Sequence, residues 1–250
     1  MSKLKLPKII GHRGAMAYAP ENTLASIHTA ADMGVEFVNI DCKLTKDHLP
    51  VVFHDEELSR LTNMSGRLDA TNYDVIKELD AGSWFSESFM GEKVPSLEEA
   101  VEVIINRNLG LNLELRPCPG REIETATVAL DLLSRFWDEE DDNLPLISSF
   151  SHVTLETAMD FIPAFPRGLL LREYDENWKD AADYLQISAI IINAEKTTQE
   201  QFDEYLDYRK PIIAYTVNDA ERARELFDMG VASIFTDCPD VILEELESFN

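Results

Sequence analysis

His12, in Ile9-Ile10-Gly11-His12-Arg13-Gly14, and His54, in Val51-Val52-Phe53-His54-Asp55, each follow a short apolar run that reads as a buried strand. An imidazole changes charge close to neutral pH, so two of them at neighbouring strand ends form a candidate acid–base pair. Hydrogen bonding to backbone carbonyls would account for either histidine alone. Their matching placement favours chemistry instead. Asn39-Ile40-Asp41 and Asn112-Leu113-Glu114-Leu115-Arg116 alternate polar and apolar residues, which puts the polar side chains of each strand on one face. Two carboxylates, amides and a guanidinium are thus expected to meet the histidines in one pocket, with Arg13 as the natural contact for an anion.

The elements that must hold these groups repeat along the chain. Strand candidates fall at Lys8–Gly11, Phe37–Leu44, Leu111–Leu115, Leu146–Ser149, Gly168–Leu171, Ala189–Asn193, Ile212–Thr216 and Ser233–Thr236. Helical patterns follow near Asn22–Met33, Leu97–Asn108, Glu122–Trp137, Val153–Phe161, Trp178–Leu185, Gln199–Arg209, Ala220–Met229 and Val241–Ser248. Alternating strands and helices specify a parallel sheet, and about eight such units in 250 residues predict an α/β fold, a (β/α)8 TIM barrel forming a single domain over residues 1–250. Gly34 and Gly230 read as helix stops, and Ser96 with Glu99 as a capping box. The stretch from about 46 to 93 is too long for a simple barrel loop, so it reads as an insertion after the second strand, containing the apolar run Pro50–Phe53 and the aromatic group Trp84, Phe85 and Phe89.

Twenty-two basic against 47 acidic residues give a formal charge of −25, which argues against nucleic acid and against an anionic membrane surface as partners. An anionic substrate must therefore be met by local cations. Cys42, Cys118 and Cys238 show neither metal-ligand spacing nor a disulfide framework and read as free thiols. Met1–Pro7 has no apolar stretch of signal-peptide length and no segment approaches a membrane span, so a cytoplasmic protein without membrane insertion is expected. No feature of the sequence fixes an oligomeric state.

The motifs His12-Arg13-Gly14, Pro20-Glu21-Asn22-Thr23, Leu44-Thr45-Lys46-Asp47, His54-Asp55, Leu79–Phe85, Pro95–Glu99, Asn112-x-Glu114, Thr216-Val217-Asn218 and Thr236-Asp237-x-Pro239-Asp240 resemble, in order, those of the glycerophosphodiester phosphodiesterase family. The resemblance is dense in the first half and thin from about 120 to 210. It implies metal-dependent hydrolysis of a small-molecule glycerophosphodiester to glycerol 3-phosphate and an alcohol, with His12 and His54 as the acid–base pair. The family analogy also suggests attack by the substrate's own glycerol hydroxyl through a cyclic phosphate. Asp41 and Glu114 would be ligands of a divalent cation, Mg2+ or Ca2+, which prefer hard oxygen donors.

Three departures from the family pattern matter. Asn39 stands where the family usually has glutamate, so an amide oxygen replaces an anionic ligand and metal affinity should fall. Arg116 stands in place of lysine, keeping the charge and adding a planar fork for phosphate. Tyr215 replaces a tryptophan and is expected either against the glycerol carbons or in ordinary barrel packing. Glu21 either positions Arg13, joins the metal shell, or merely favours a helix start. His48 takes a glycine position and predicts a turn at positive φ. His28 and His152 have no motif context. The departure at Asn39 motivates a rival reading, a weakened or non-catalytic phosphodiester-binding barrel. The aromatic group motivates another, a phosphodiesterase acting on lysophospholipid-like substrates.

Overall fold

The computed structural model describes residues 4–247, with the side chain of residue 247 excepted; the parts of the sequence expectations that fall on Met1–Lys3 and Ser248 lie outside the described residues. The strands are β1 (Ile9–His12), β2 (Phe37–Leu44), β3 (Pro50–Val52), β4 (Gly110–Leu115), β5 (Leu146–Ser149), β6 (Arg167–Leu171), β7 (Ala189–Asn193), β8 (Ile212–Tyr215) and β9 (Ser233–Thr236). The helices are α1 (Leu24–Asp32), α2 (Tyr73–Ile76), α3 (Leu97–Asn106), α4 (Glu122–Leu133), α5 (His152–Phe161), α6 (Trp178–Tyr184), α7 (Gln199–Asp207), α8 (Ala220–Met229) and α9 (Pro239–Glu247). All strands but β3 pair in parallel in the order β1-β9-β8-β7-β6-β5-β4-β2, and a β1–β2 pairing closes the ring. The fold is thus an eight-stranded TIM barrel. β3 lies outside the ring, antiparallel to the C-terminal end of β2.

Strand alternation sorts the side chains into two environments. Val38, Ile40 and Cys42 of β2, with Leu111, Leu113 and Leu115 of β4, face the helices and join one core cluster. The other face looks into the barrel, where Ile10, Phe37, Leu146, Leu170, Ile191 and Phe235 form the interior core. Above this apolar floor the interior face turns polar, because β2 and β4 are paired with Asn39 opposite Asn112 and Asp41 opposite Glu114. Burying four polar groups there is costly for folding unless they hydrogen-bond or meet charge. Their placement is therefore a first indication of a site.

Helix boundaries follow the local chemistry. Thr23, Ser96 and Thr198 each accept a hydrogen bond from the third helical N–H and close capping boxes on α1, α3 and α7. Gly230 ends α8 in the left-handed region. His48 has φ +66° at the turn before β3, as expected of the residue standing in a glycine position. Between β2 and α3 the chain forms β3, α2 and three short 3-10 turns around a separate cluster that includes Val51, Phe53, Leu58, Leu68 and Ile76. This cluster carries His54 and Asp55 to the C-terminal rim of the barrel, the face on which TIM-barrel chemistry is found.

Candidate active site

The loop after β1 is shaped by backbone as much as by side chains. Arg13 and Gly14 have φ of +53° and +87°, and a Cβ at Gly14 would come within 2.4 Å of Ser26 Oγ, so α1 packs directly on the turn. The Arg13 carbonyl accepts from Asn22 N (3.0 Å) and from Ser26 Oγ (2.8 Å). Asn22 then ties this loop to β2, since its Nδ2 donates to Asp41 Oδ2 (2.8 Å) and its Oδ1 accepts from Asp41 N (3.1 Å).

Each histidine has an aspartate behind it. His12 Nδ1 lies 2.7 Å from Asp237 Oδ1, and His54 Nδ1 lies 2.6 Å from Asp55 Oδ1. A carboxylate on Nδ1 holds that nitrogen protonated and leaves Nε2 as the exchanging atom. Asp237 is itself fixed by Asn218, whose Nδ2 donates to Oδ2 at 2.7 Å. Asp55 is fixed by Arg60, whose Nε and Nη2 reach its two oxygens at 2.6 and 2.8 Å. Burial pushes His54 down to about 4 despite the attraction of Asp41, with Arg13 and Arg116 adding repulsion, so it is neutral at physiological pH.

The arginines form a second set. Arg13 Nη1 donates to Glu21 Oε1 (2.5 Å), while its Nε sits 3.2 Å from Asp41 Oδ2 as an ion pair without hydrogen-bond alignment. Glu21 also accepts from Arg60 Nη1 and Nη2 at 2.8 and 2.9 Å, so among the described residues it positions two arginines. Burial opposes the charge of Glu21, but the hydrogen bonds from Arg60 and the charges of Arg13 and Arg60 hold its pKa below the usual value. Arg116 Nη1 donates to Glu114 Oε1 (2.5 Å), and its Nε is buried with no partner among the described residues. A buried guanidinium N–H without a protein acceptor is a donor that a water or an anion can satisfy.

Asp41 and Glu114 are the buried carboxylates of the site. Burial works against the charge of Asp41, yet Arg13 and Arg116 hold it down to about 2. Glu114 moves the other way, raised by burial and by the charge of Asp41 beside it. One rung below, Asn112 donates to the amide oxygen of Asn39 and to Ser148 Oγ (2.9 Å), leaving Asn112 Oδ1 and Asn39 Nδ2 without partners among the described residues. Two adjacent carboxylates that repel each other, with an orphan acceptor oxygen below them, are a hard-oxygen donor set compatible with Mg2+ or Ca2+. Among the described residues, however, no group of three or more His, Cys, Asp or Glu side chains is gathered for a metal. The donor set fits a cation only loosely, with two anionic ligands and with arginines already paired to both.

His12, Arg13, His54, Glu114, Arg116 and Tyr215 line one cavity of about 360 Å³ at the barrel mouth. A second cavity of about 540 Å³ adjoins it and shares His54, Arg116, Phe150 and Arg172. Of the expected site residues, Asn39, Asp41 and Glu21 are buried behind this wall rather than in it. Tyr215 stands edge-on to Phe150 at 6.2 Å and donates to the Leu171 carbonyl (3.0 Å). Trp84, Phe85 and Phe89 pack edge to face on one another and line neither cavity. His28 and His152 are exposed and also line neither.

Sequence reasoning gave no role to Asp237, Asn218 or Asp55, although all three lie in the quoted motifs. Arg60, Phe150 and Arg172 carry no motif. Only the period of two along β6, through Gly168, Leu170 and Arg172, points the last of them at the mouth.

A TIM barrel whose C-terminal mouth gathers two aspartate-backed imidazoles and two guanidiniums has the fold and the side chains of a barrel enzyme, with groups able to exchange protons next to groups able to bind an anion. The sequence profile of the glycerophosphoryl diester phosphodiesterase family matches residues 12–241, and the chain belongs to that family. It is 30% identical over 242 residues to the glycerophosphodiester phosphodiesterase of Caldanaerobacter subterraneus, covering 94% of this chain and 96% of the relative. Among solved structures, a phosphodiesterase of Oleispira antarctica in complex with the product sn-glycerol-3-phosphate superposes with a TM-score of 0.93 at 36% identity, with 97% of each chain covered. The glycerophosphodiester phosphodiesterase of Agrobacterium tumefaciens gives a TM-score of 0.77 at 28% identity, covering 96% of this chain and 100% of that one.

Proposed function

We propose that the protein cleaves small glycerophosphodiesters to glycerol 3-phosphate and the head-group alcohol by acid–base catalysis between His12 and His54, in the cytoplasm. The observation that carries this reading is the pair of aspartate-backed imidazoles facing one cavity together with Arg13 and Arg116. The neutral state of His54 suits it to accept the proton of the attacking glycerol hydroxyl. As the P–O bond to the head group breaks, His12 gives its Nε2 proton to the departing oxygen. Water then opens the cyclic phosphate with the two roles reversed, which returns both imidazoles to their starting state. Arg13 and Arg116 bind the phosphoryl oxygens and offset the charge that grows on them in the transition state.

Asp41 and Glu114 would hold a divalent cation, Mg2+ or Ca2+, with Asn39 contributing at most a neutral oxygen, and such a cation would supply further charge neutralisation at the phosphate. With one anionic ligand fewer than the family pattern, this site binds its cation weakly and still supports turnover. The experiment is release of sn-glycerol 3-phosphate from glycerophosphodiesters of several head groups with Mg2+, Ca2+, Mn2+ or chelator. Turnover that rises with millimolar cation supports the proposal. Binding of the diesters without turnover under any cation sinks it in favour of a non-catalytic barrel.

A further inference from the structure

β6 presents Gly168 and Leu170 to the barrel interior: a Cβ on Gly168 would stand 2.8 Å from Ile191 Cδ1, and Leu170 belongs to the interior core. Arg172, two residues beyond Leu170, continues that face at the mouth and lines both cavities. β6 lies four strands from β1 around the closed ring, so Arg172 rises from the wall opposite His12 and Arg13. Its guanidinium rests over the Phe150 ring, 4.7 Å from the centroid, and Arg116 approaches the same ring at 5.8 Å. One aromatic side chain thus steadies two cations facing a common space.

These cations differ in what neutralises them. Arg13 is paired with Glu21 and Asp41, and Arg116 with Glu114. Glu173, the sequence neighbour of Arg172, is taken by Lys196 at 2.6 Å. Arg172 itself has neither an ion pair nor a hydrogen bond among the described residues, in a chain of formal charge −25. Arg172 is exposed at the junction of the two cavities, so its guanidinium, hydrated and without a counter-ion beside another cation, is available to a ligand anion that enters either cavity.

We propose that Arg172 is a third substrate-binding guanidinium, which grips an anionic oxygen of the phosphodiester from the wall opposite His12. The inference rests on the reading given under Proposed function. The anion it meets is the scissile phosphodiester that every substrate carries, and a carboxylate on the head group is the competing source of the same chemistry.

The test compares wild type, Arg172→Ala and Arg172→Lys on glycerophosphodiesters with choline, glycerol and serine head groups, and measures calorimetric binding of sn-glycerol 3-phosphate, which needs no turnover. Arg172→Ala should raise KM about ten- to a hundredfold on all three substrates. It should weaken product binding by a similar factor while changing kcat less, and Arg172→Lys should recover part of both. Thermal melting checks that the variants are folded. An unchanged KM and product affinity would overturn the proposal, as would a loss confined to the serine substrate. Wild-type protein inactive on all three would instead refute the phosphodiesterase reading, with the calorimetric arm still deciding the role of Arg172.

Discussion

Replacing Asp237 by asparagine should be more damaging than removing the carboxylate altogether. Asn218 Oδ1 accepts from Asp237 N at 2.8 Å and from Thr236 Oγ at 3.1 Å, which fixes the amide so that its Nδ2 faces Asp237 Oδ2. In Asp237→Asn, the atom facing that N–H must still be an oxygen. The new NH2 is therefore turned toward His12 Nδ1, now 2.7 Å from a carboxylate oxygen. A donor there forces Nδ1 to act as an acceptor, leaves the proton on Nε2, and suppresses the imidazolium. His12 loses both the base and the acid form it needs. Turnover should fall about two to four orders of magnitude, equivalent to about 3–5 kcal/mol of barrel-mouth transition-state stabilisation. Asp237→Ala leaves the tautomer free and admits water, so its loss should be nearer about tenfold to a hundredfold. Steady-state kinetics rank the variants, and 15N chemical shifts of the His12 ring report the tautomer. Asp237→Asn as active as Asp237→Ala, or a protonated Nδ1 in the asparagine variant, would refute the reasoning.

Three further outcomes follow from the same network. Arg60→Ala removes the fork that joins the buried Glu21 to Asp55, and because Glu21 keeps Arg13 the loss should be about 1–2 kcal/mol of stability with reduced turnover; an unaltered melting temperature would count against the network. His54 sits below its unfolded value near 6.5, so the unfolded chain binds its proton first as pH falls: the contribution is fully present above about 6.5 and is lost toward about 4, at most about 3 kcal/mol. Chemical denaturation of wild type and His54→Gln across that window should show a flatter acid dependence in the variant, and parallel curves would contradict the assignment. Asn39→Glu adds a third carboxylate beside Asp41 and Glu114 on the interior of β2, so it should lower the melting temperature in chelator and increase the gain on adding Mg2+ or Ca2+. An unchanged metal titration would put Asn39 outside the coordination shell.

The barrel is readable from the sequence because its strands are short apolar runs set off by helices with explicit caps, as at Thr23, Ser96 and Gly230. The interior polar rungs are equally legible, since a period of two places Asn39 with Asp41 and Asn112 with Glu114 on one face. What orients the two imidazoles and the arginines is harder to read. Asp237 reaches His12 across 225 residues of sequence and Arg60 reaches Glu21 across 39, and no local pattern encodes such pairings. The aromatic group at Trp84, Phe85 and Phe89 illustrates the reverse: its composition suggests an apolar surface for a lysophospholipid-like substrate, whereas the side chains pack on each other away from both cavities. Arg172 follows a short strand in the stretch where family motifs are thin, and its role emerges only once Phe150 is seen beneath it.

The most direct test of the two-histidine account is the rate of sn-glycerol 3-phosphate release from one glycerophosphodiester by wild type, His12→Ala and His54→Ala at saturating divalent cation. The account predicts a fall of about two to four orders of magnitude in kcat for each variant, with the fold intact by thermal melting. A folded variant of either kind that turns over at close to the wild-type rate would contradict it.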